Sequence, residues 1–166
     1  YEDTLKLHEK IEAEDEILSK IYKNNTPKFS LAYPKSFIKL KPNPIIYPLG
    51  VPVFVASKVP SVDLLVFVFK ASKYDRPLEE NIQEIARRLE YRSREVNIIS
   101  NKPITLNDGT PAYESDVELK FLGIYKVRSL HLSVIKDDHL IVINLYARAN
   151  YFNESLRDIL RSLEFK

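Results

Sequence analysis

Three strand-like runs, Ala112 to Phe121, Lys126 to Lys136 and Leu140 to Arg148, follow one another with only tight turns between them. Antiparallel strands can be joined by a short hairpin, whereas parallel neighbours need a crossover of about a dozen residues or more. These runs therefore form an antiparallel meander, which excludes a doubly wound parallel sheet. Asn107-Asp108-Gly109 ahead of the first run is a tight-turn signal, because glycine accepts a positive φ.

The remaining periodicities place helices around that meander. Leu7, Ile11, Leu18 and Ile21 recur at helical spacings, with Glu and Lys between them, and predict an amphipathic helix over Asp3 to Tyr22, capped by Asp3 or Thr4 and ended by Asn24-Asn25-Thr26-Pro27. A second helix is expected from Pro77 to Arg92, with Leu78, Ile82, Ile85, Ala86 and Leu89 on one face and Glu79, Glu80 and Glu84 near its positive end. A third is expected over Glu154 to Leu163, with Asn153 as its cap. Strands are expected at Phe29 to Tyr33, Phe37 to Lys41, Val53 to Ala56, Leu64 to Phe69, Val96 to Ile99 and Ile104 to Leu106. Val53 to Ala56 and Leu64 to Phe69 are nearly continuous in apolar residues, which suits strands covered on both faces. The expected class is α+β: a central antiparallel sheet flanked by helices on both faces, preceded by an extra N-terminal helix. The division is 1–26 for that helix and 27–166 for one α/β domain.

A chain of 166 residues can bury a core without disulfide or metal, and its hydrophobic fraction of 45% is that of a globular domain. The absence of cysteine removes thiol nucleophiles and every cysteine-ligated metal site. Twenty-five basic and 23 acidic residues are interspersed without a basic run, so no nucleic-acid partner is expected. The longest uncharged apolar run, Leu64 to Phe69, is far shorter than the roughly 20 residues of a membrane-spanning helix, and membrane association is expected only through a segment outside this chain. The start at Tyr1 and the lack of methionine read as a trimmed or mature chain. Phosphate-loop, dinucleotide, nucleophile-elbow and zinc-protease motifs are all missing, and three glycines leave little for a phosphate cradle. No cofactor is expected, with a divalent metal as the one candidate.

That candidate comes from strand register. Centring the first hairpin on Gly123-Ile124 sets Asp116 opposite His131 and Glu118 opposite Ser129. Centring the second on Asp137-Asp138 sets His131 opposite Asn144 and Ser129 opposite Tyr146. Val117, Leu130 and Leu145 then share one face, and Leu132 meets Ile143. Asp116, His131 and Glu118 become a candidate metal set, with Asn144, Tyr146 and Ser129 as ligand contacts; the alternative is a row of polar residues on a solvated face. His8 and His139 read as surface residues. Pro42 to Pro52 carries Ile45, Ile46 and Tyr47 in an extended loop, either as a partner-binding patch or as a crossover packed on the sheet edge.

Phe29-Ser30-Leu31-Ala32-Tyr33-Pro34, the helix from Pro77 to Arg92, Asp108-Gly109-Thr110-Pro111-Ala112-Tyr113 opening the meander, and Leu160-Arg161-Ser162-Leu163-Glu164-Phe165 occur in the order and spacing of a known family. In these features the chain resembles the PsbP-like superfamily, which also takes in Mog-type Ran-interacting proteins and many bacterial lipoproteins and secreted domains. Phe37 stands where that family often has a tryptophan. The resemblance implies an α/β/α sandwich and a non-catalytic binding or adaptor domain, exported or membrane-associated, with another protein as partner and no transferable active site. The second reading is a small-ligand or metal-binding protein using the Asp116 and His131 cluster.

Overall fold

Alternating and β-branched segments dominate the chain as it folds. The structure, a computed structural model, describes residues 6, 17–42, 51–58, 62–71, 80, 95–121 and 124–165. In chain order these give β1 (Lys20–Asn25), β2 (Lys28–Tyr33), β3 (Ile38–Leu40), β4 (Phe54–Lys58), β5 (Val62–Lys70), β6 (Glu95–Thr105), β7 (Pro111–Phe121), β8 (Tyr125–Lys136) and β9 (His139–Arg148). A 3-10 turn (Ala149–Tyr151) and a short helix, α1 (Leu156–Arg161), follow. Seven strands form one antiparallel sheet in the order β3-β4-β5-β9-β8-β7-β6, and β1 and β2 form a separate hairpin.

This overturns the expected α+β class with helices on both faces. The described residues are mostly strand, and apart from Lys6 and Glu80, each helical, α1 is the one α-helix among them. Most of the expected helices over Asp3 to Tyr22 and Pro77 to Arg92 lies outside the described residues; Lys6 and Glu80 within them are helical, Ile17 to Ser19 are not, and Lys20 to Tyr22 are strand. Ile21 and Tyr22 fit helical spacing, but they are β-branched and aromatic, and they pair with Ala32 and Leu31 of β2. Asn24-Asn25-Thr26-Pro27 turns a hairpin, with the Thr26-Pro27 bond cis. The two short runs expected at Val96 to Ile99 and Ile104 to Leu106 are parts of the continuous β6. As an edge strand β6 is largely exposed, so its middle carries no apolar alternation. A bulge between Ile98 and Ser100, together with Lys102 and Pro103, blunts the edge against further pairing.

The main core lies between the sheet and a layer made of the β1–β2 hairpin and α1. Phe29, Leu31, Phe37, Phe54, Leu64, Val66, Leu130, Leu132, Ile143 and Leu145 meet Leu156, Ile159, Leu160 and Leu163 there. We call this the helix face. On the far face, Val55, Leu65, Phe67, Leu140 and Val142 form a smaller buried cluster. The helix spacing read from the sequence places the apolar stripe of α1 on the sheet. Asn153 shapes its entry, its side-chain oxygen accepting from the Ser155 N–H at 3.1 Å.

The C-terminal residues tie distant segments together. Ser30 and Glu164 exchange backbone hydrogen bonds of 2.9 and 3.0 Å, and Ser162 Oγ accepts from the Ala32 N–H at 2.9 Å. Asp108 accepts from Thr110 N–H and Phe165 N–H, both at 2.9 Å. Two of the hairpin turns use residues that tolerate positive φ: Asp137 (48°) with Asp138 (59°), and Gly109 (86°). No atom lies within 4 Å of where a Gly109 side chain would start. Gly109→Ala is therefore expected to cost about 1–2 kcal/mol from backbone strain alone. Urea unfolding would show this as a lower midpoint at unchanged m-value, and an unshifted midpoint would refute it.

Candidate functional site

Side chains alternate along β7, so its acidic and hydroxyl residues part company. Glu114 and Asp116 point to the helix face, where they pair with Leu132 and Leu130 of β8. Ser115 and Val117 point to the far face, where they pair with His131 and Ser129. Across the next ladder His131 meets Asn144 and Ser129 meets Tyr146. Two polar groups thus lie back to back on the same strands.

The far-face group is sealed. Ser115, Ser129, His131, Ser133 and Asn144 are each no more than 2% exposed. Ser129 Oγ lies 2.7 Å from His131 Nε2 and donates to Asn144 Oδ1 at 3.1 Å. A hydroxyl has one proton, so with it on Asn144 the imidazole proton sits on Nε2 and Nδ1 is a bare acceptor. His131 Nδ1, Asn144 Nδ2 and Ser133 Oγ have no hydrogen-bond partner among the described residues. Burial pushes the His131 pKa down to about 4, with the Asp116 charge on the opposite face opposing that shift. The ring stands edge-on to Tyr146 at 6.3 Å. A serine oxygen on an imidazole has the outline of a nucleophile and base. Asn144, however, hydrogen-bonds the serine and not the imidazole, both groups are closed to solvent, and no described residue orients Nδ1. The arrangement holds three strands together and does not present a reactive oxygen.

The helix-face group is an ion network. Arg128 grips Asp116 with two parallel bonds, Nε to Oδ1 at 2.9 Å and Nη2 to Oδ2 at 2.8 Å, and its guanidinium lies 4.0 Å from the Phe152 ring centre. Arg157 bonds Asp116, Glu114 at 3.3 Å and Glu154 at 2.7 Å. Arg161 reaches both oxygens of Glu114 at 3.2 Å. Burial would raise the Asp116 carboxyl, but the hydrogen bonds and charges of Arg128 and Arg157 outweigh it and hold the group below the ordinary carboxylate value. Burial likewise disfavours charge on Arg157, and the Glu154 and Asp116 hydrogen bonds override it, keeping the guanidinium protonated. This network clamps α1 onto β7 and β8.

These positions correct the expected site. The ladder between β7 and β8 pairs Ser115, and not Asp116, with His131. A one-residue difference moves every side chain to the other face. Asp116 and Glu118 therefore share the helix face, Glu118 opposite Arg128 and not Ser129, while His131 lies on the far face. The expected metal set is not brought together, and no three His, Asp or Glu residues converge to hold a metal among the described residues. Val117 leaves the face of Leu130 and Leu145 for the same reason. The second hairpin has the expected register, so Asn144 does oppose His131, and Ser129 does oppose Tyr146. Ile45, Ile46 and Tyr47 lie outside the described residues. Sequence reading missed Arg128, Arg157 and Arg161. The spacing of Arg157 and Arg161, four apart beside the apolar stripe of α1, is the signal that points to them.

No family model matches the sequence, and no curated protein matches it. Solved structures do. The solution structure of cyanobacterial PsbP (CyanoP) from Synechocystis superposes with a TM-score of 0.69 at 15% identity, covering 90% of this chain and 94% of that one. A crystal structure from Bacteroides thetaiotaomicron superposes with a TM-score of 0.60 at 10% identity over 90% of this chain, which spans 49% of that longer one. At such identities the likeness is one of fold, and the chain is accordingly a domain of the PsbP-like fold.

Proposed function

We propose that this chain is a non-catalytic binding domain of an exported or membrane-associated protein, and that it binds through the sheet edge formed by β3 and β4. The observation that carries the reading is the apolar exposure gathered there: Ile38 is 61% exposed, and Leu40 and Val53 are each 45% exposed. Ile38 pairs with Ser57 and Leu40 with Val55, so both project on the far-face side of the edge. Large aliphatic groups grouped at one edge mark an interaction surface more often than scattered ones do. Ile45, Ile46 and Tyr47 belong to the segment joining β3 to β4, and its described flanks, Leu40 and Val51, are exposed. The PsbP-like fold supports the exported or membrane-associated setting.

Two measurements test this reading. The double variant Ile38→Ser/Leu40→Ser should fold normally yet lose co-sedimentation with the envelope fraction of the source cell. Retention equal to the unmodified domain would remove the edge as the contact surface. A fluorophosphonate probe should leave Ser129 unlabelled, and covalent labelling abolished by His131→Ala would show that the sealed pair is a hydrolase after all.

A further inference from the structure

From Ile17 to Val62 the sequence contains seven lysines and no aspartate, glutamate or arginine. That stretch carries +7 in a chain of net charge +2, so the remainder nets −5. The fold brings its parts together at the β3 end of the sheet, with the β1–β2 hairpin over the helix face and β3 along the edge. Lys20 Nζ donates to the Phe37 carbonyl at 3.3 Å, joining the start of β1 to the start of β3. Tyr22 of β1 stacks on Phe54 of β4 at 4.3 Å between ring centres. Lys20, Lys23, Lys28, Lys39 and Lys41 are exposed along this edge. Half of the twelve exposed large apolar side chains among the described residues lie in the same stretch: Ile17, Ile21, Ile38, Leu40, Val51 and Val53. β3 and its flank alternate the two kinds, Ile38-Lys39-Leu40-Lys41, so that the edge carries aliphatic side chains on its far-face side and lysine on its helix-face side.

Resting on the binding-edge reading above, we propose that this edge docks the domain on an anionic lipid surface, with the aliphatic side chains entering the headgroup region and the lysines facing the phosphates. Charge complementarity argues for an anionic partner, and residue type argues for lipid over protein. Arginine, with its planar fork, is the residue that clasps carboxylates, and this protein uses three of them on Glu114 and Asp116. The edge has none. Protein interfaces are enriched in aromatic residues and arginine and depleted in lysine. Here the exposed large apolar and charged residues that are described are isoleucine, leucine, valine and lysine. Such a mixture suits the boundary of a bilayer, where aliphatic groups enter and long ammonium stems reach back to the headgroups.

The test is flotation of the 166-residue chain with phosphatidylcholine vesicles prepared with and without phosphatidylglycerol. Binding is expected only to the phosphatidylglycerol vesicles, weakening steeply as salt is raised. A lysine near an anionic surface is worth roughly fivefold in affinity, so the variant with Lys23, Lys28, Lys39 and Lys41 changed to Gln should bind at least about tenfold more weakly. Ile38→Ser/Leu40→Ser should abolish binding to the same vesicles in moderate salt. Equal binding to neutral and anionic vesicles, or none to either, would overturn the lipid assignment. So would retention on polyglutamate beads without vesicle binding, which would identify an acidic protein instead. If the Ile38/Leu40 variant loses envelope co-sedimentation while vesicles are ignored, the edge stands and only its lipid partner falls.

Discussion

Arg157→Ala should lower the folding free energy by about 3–5 kcal/mol, the range seen when one partner of a buried ion pair is removed. Arg157 touches both Glu114 and Asp116, whose side chains have no solvent exposure, while its own is 17% exposed. Removing it leaves two carboxylates to share Arg128 and the more exposed Arg161, and frees α1 from its central contact with β7. The loss comes from stranding buried charge, and the intact network need not be favourable relative to an apolar core. Arg157→Leu and Arg128→Met combined with Glu114→Met and Asp116→Leu, which leaves only the more exposed Arg161 to reach water, is therefore expected to recover most of the stability. Urea unfolding of both variants distinguishes the two statements. A loss under about 1 kcal/mol in Arg157→Ala would mean that Arg128 and Arg161 alone satisfy the acids.

The second large effect is acid lability from His131. In the unfolded chain the imidazole titrates near its ordinary value of about 6.5, whereas in the fold it does so at about 4. Between those values the unfolded state binds the extra proton and the folded state does not, so stability falls as pH falls. It is fully present above about pH 6.5 and lost progressively toward pH 4. The integrated loss is on the order of 3 kcal/mol. Asp116 sits behind the ring, and its own depressed carboxyl contributes below the ordinary carboxylate value, so the two windows are separate. Chemical denaturation at a series of pH values should show the slope in the unmodified protein and its absence in His131→Phe. A slope that persists in that variant would assign the effect elsewhere.

The C-terminal helix and all three meander strands were legible in the sequence, because Leu156, Ile159 and Leu160 repeat at helical spacing and Leu130, Leu132, Ile143 and Leu145 alternate toward one core. The register of β8 with β9 was legible because those apolar pairs match in only one alignment. The register of β7 with β8 was not. Both faces of β7 are buried, so Glu114 and Asp116 on one side and Ser115 and Val117 on the other give no inside-outside contrast to fix it. The acids looked like a solvated stripe because their counter-ions come mostly from α1, more than forty residues away. Helix spacing alone likewise misassigned Ile21 and Tyr22, which only the partner strand β2 identifies as strand residues.

The bridge between Ser30 and Glu164 has a consequence for the order in which the protein is assembled on the ribosome. β2 is synthesised about 130 residues ahead of the groups that hold it, Ser162 and Glu164. The N-terminal hairpin must wait through synthesis of the whole sheet before its carboxyl-end partners arrive. Until then Phe29 and Leu31 lack the side chains of α1 that complete their layer. Closure of this layer is thus a long-range event that waits for Ser162 and Glu164 to leave the ribosome, well after the core strands have been translated.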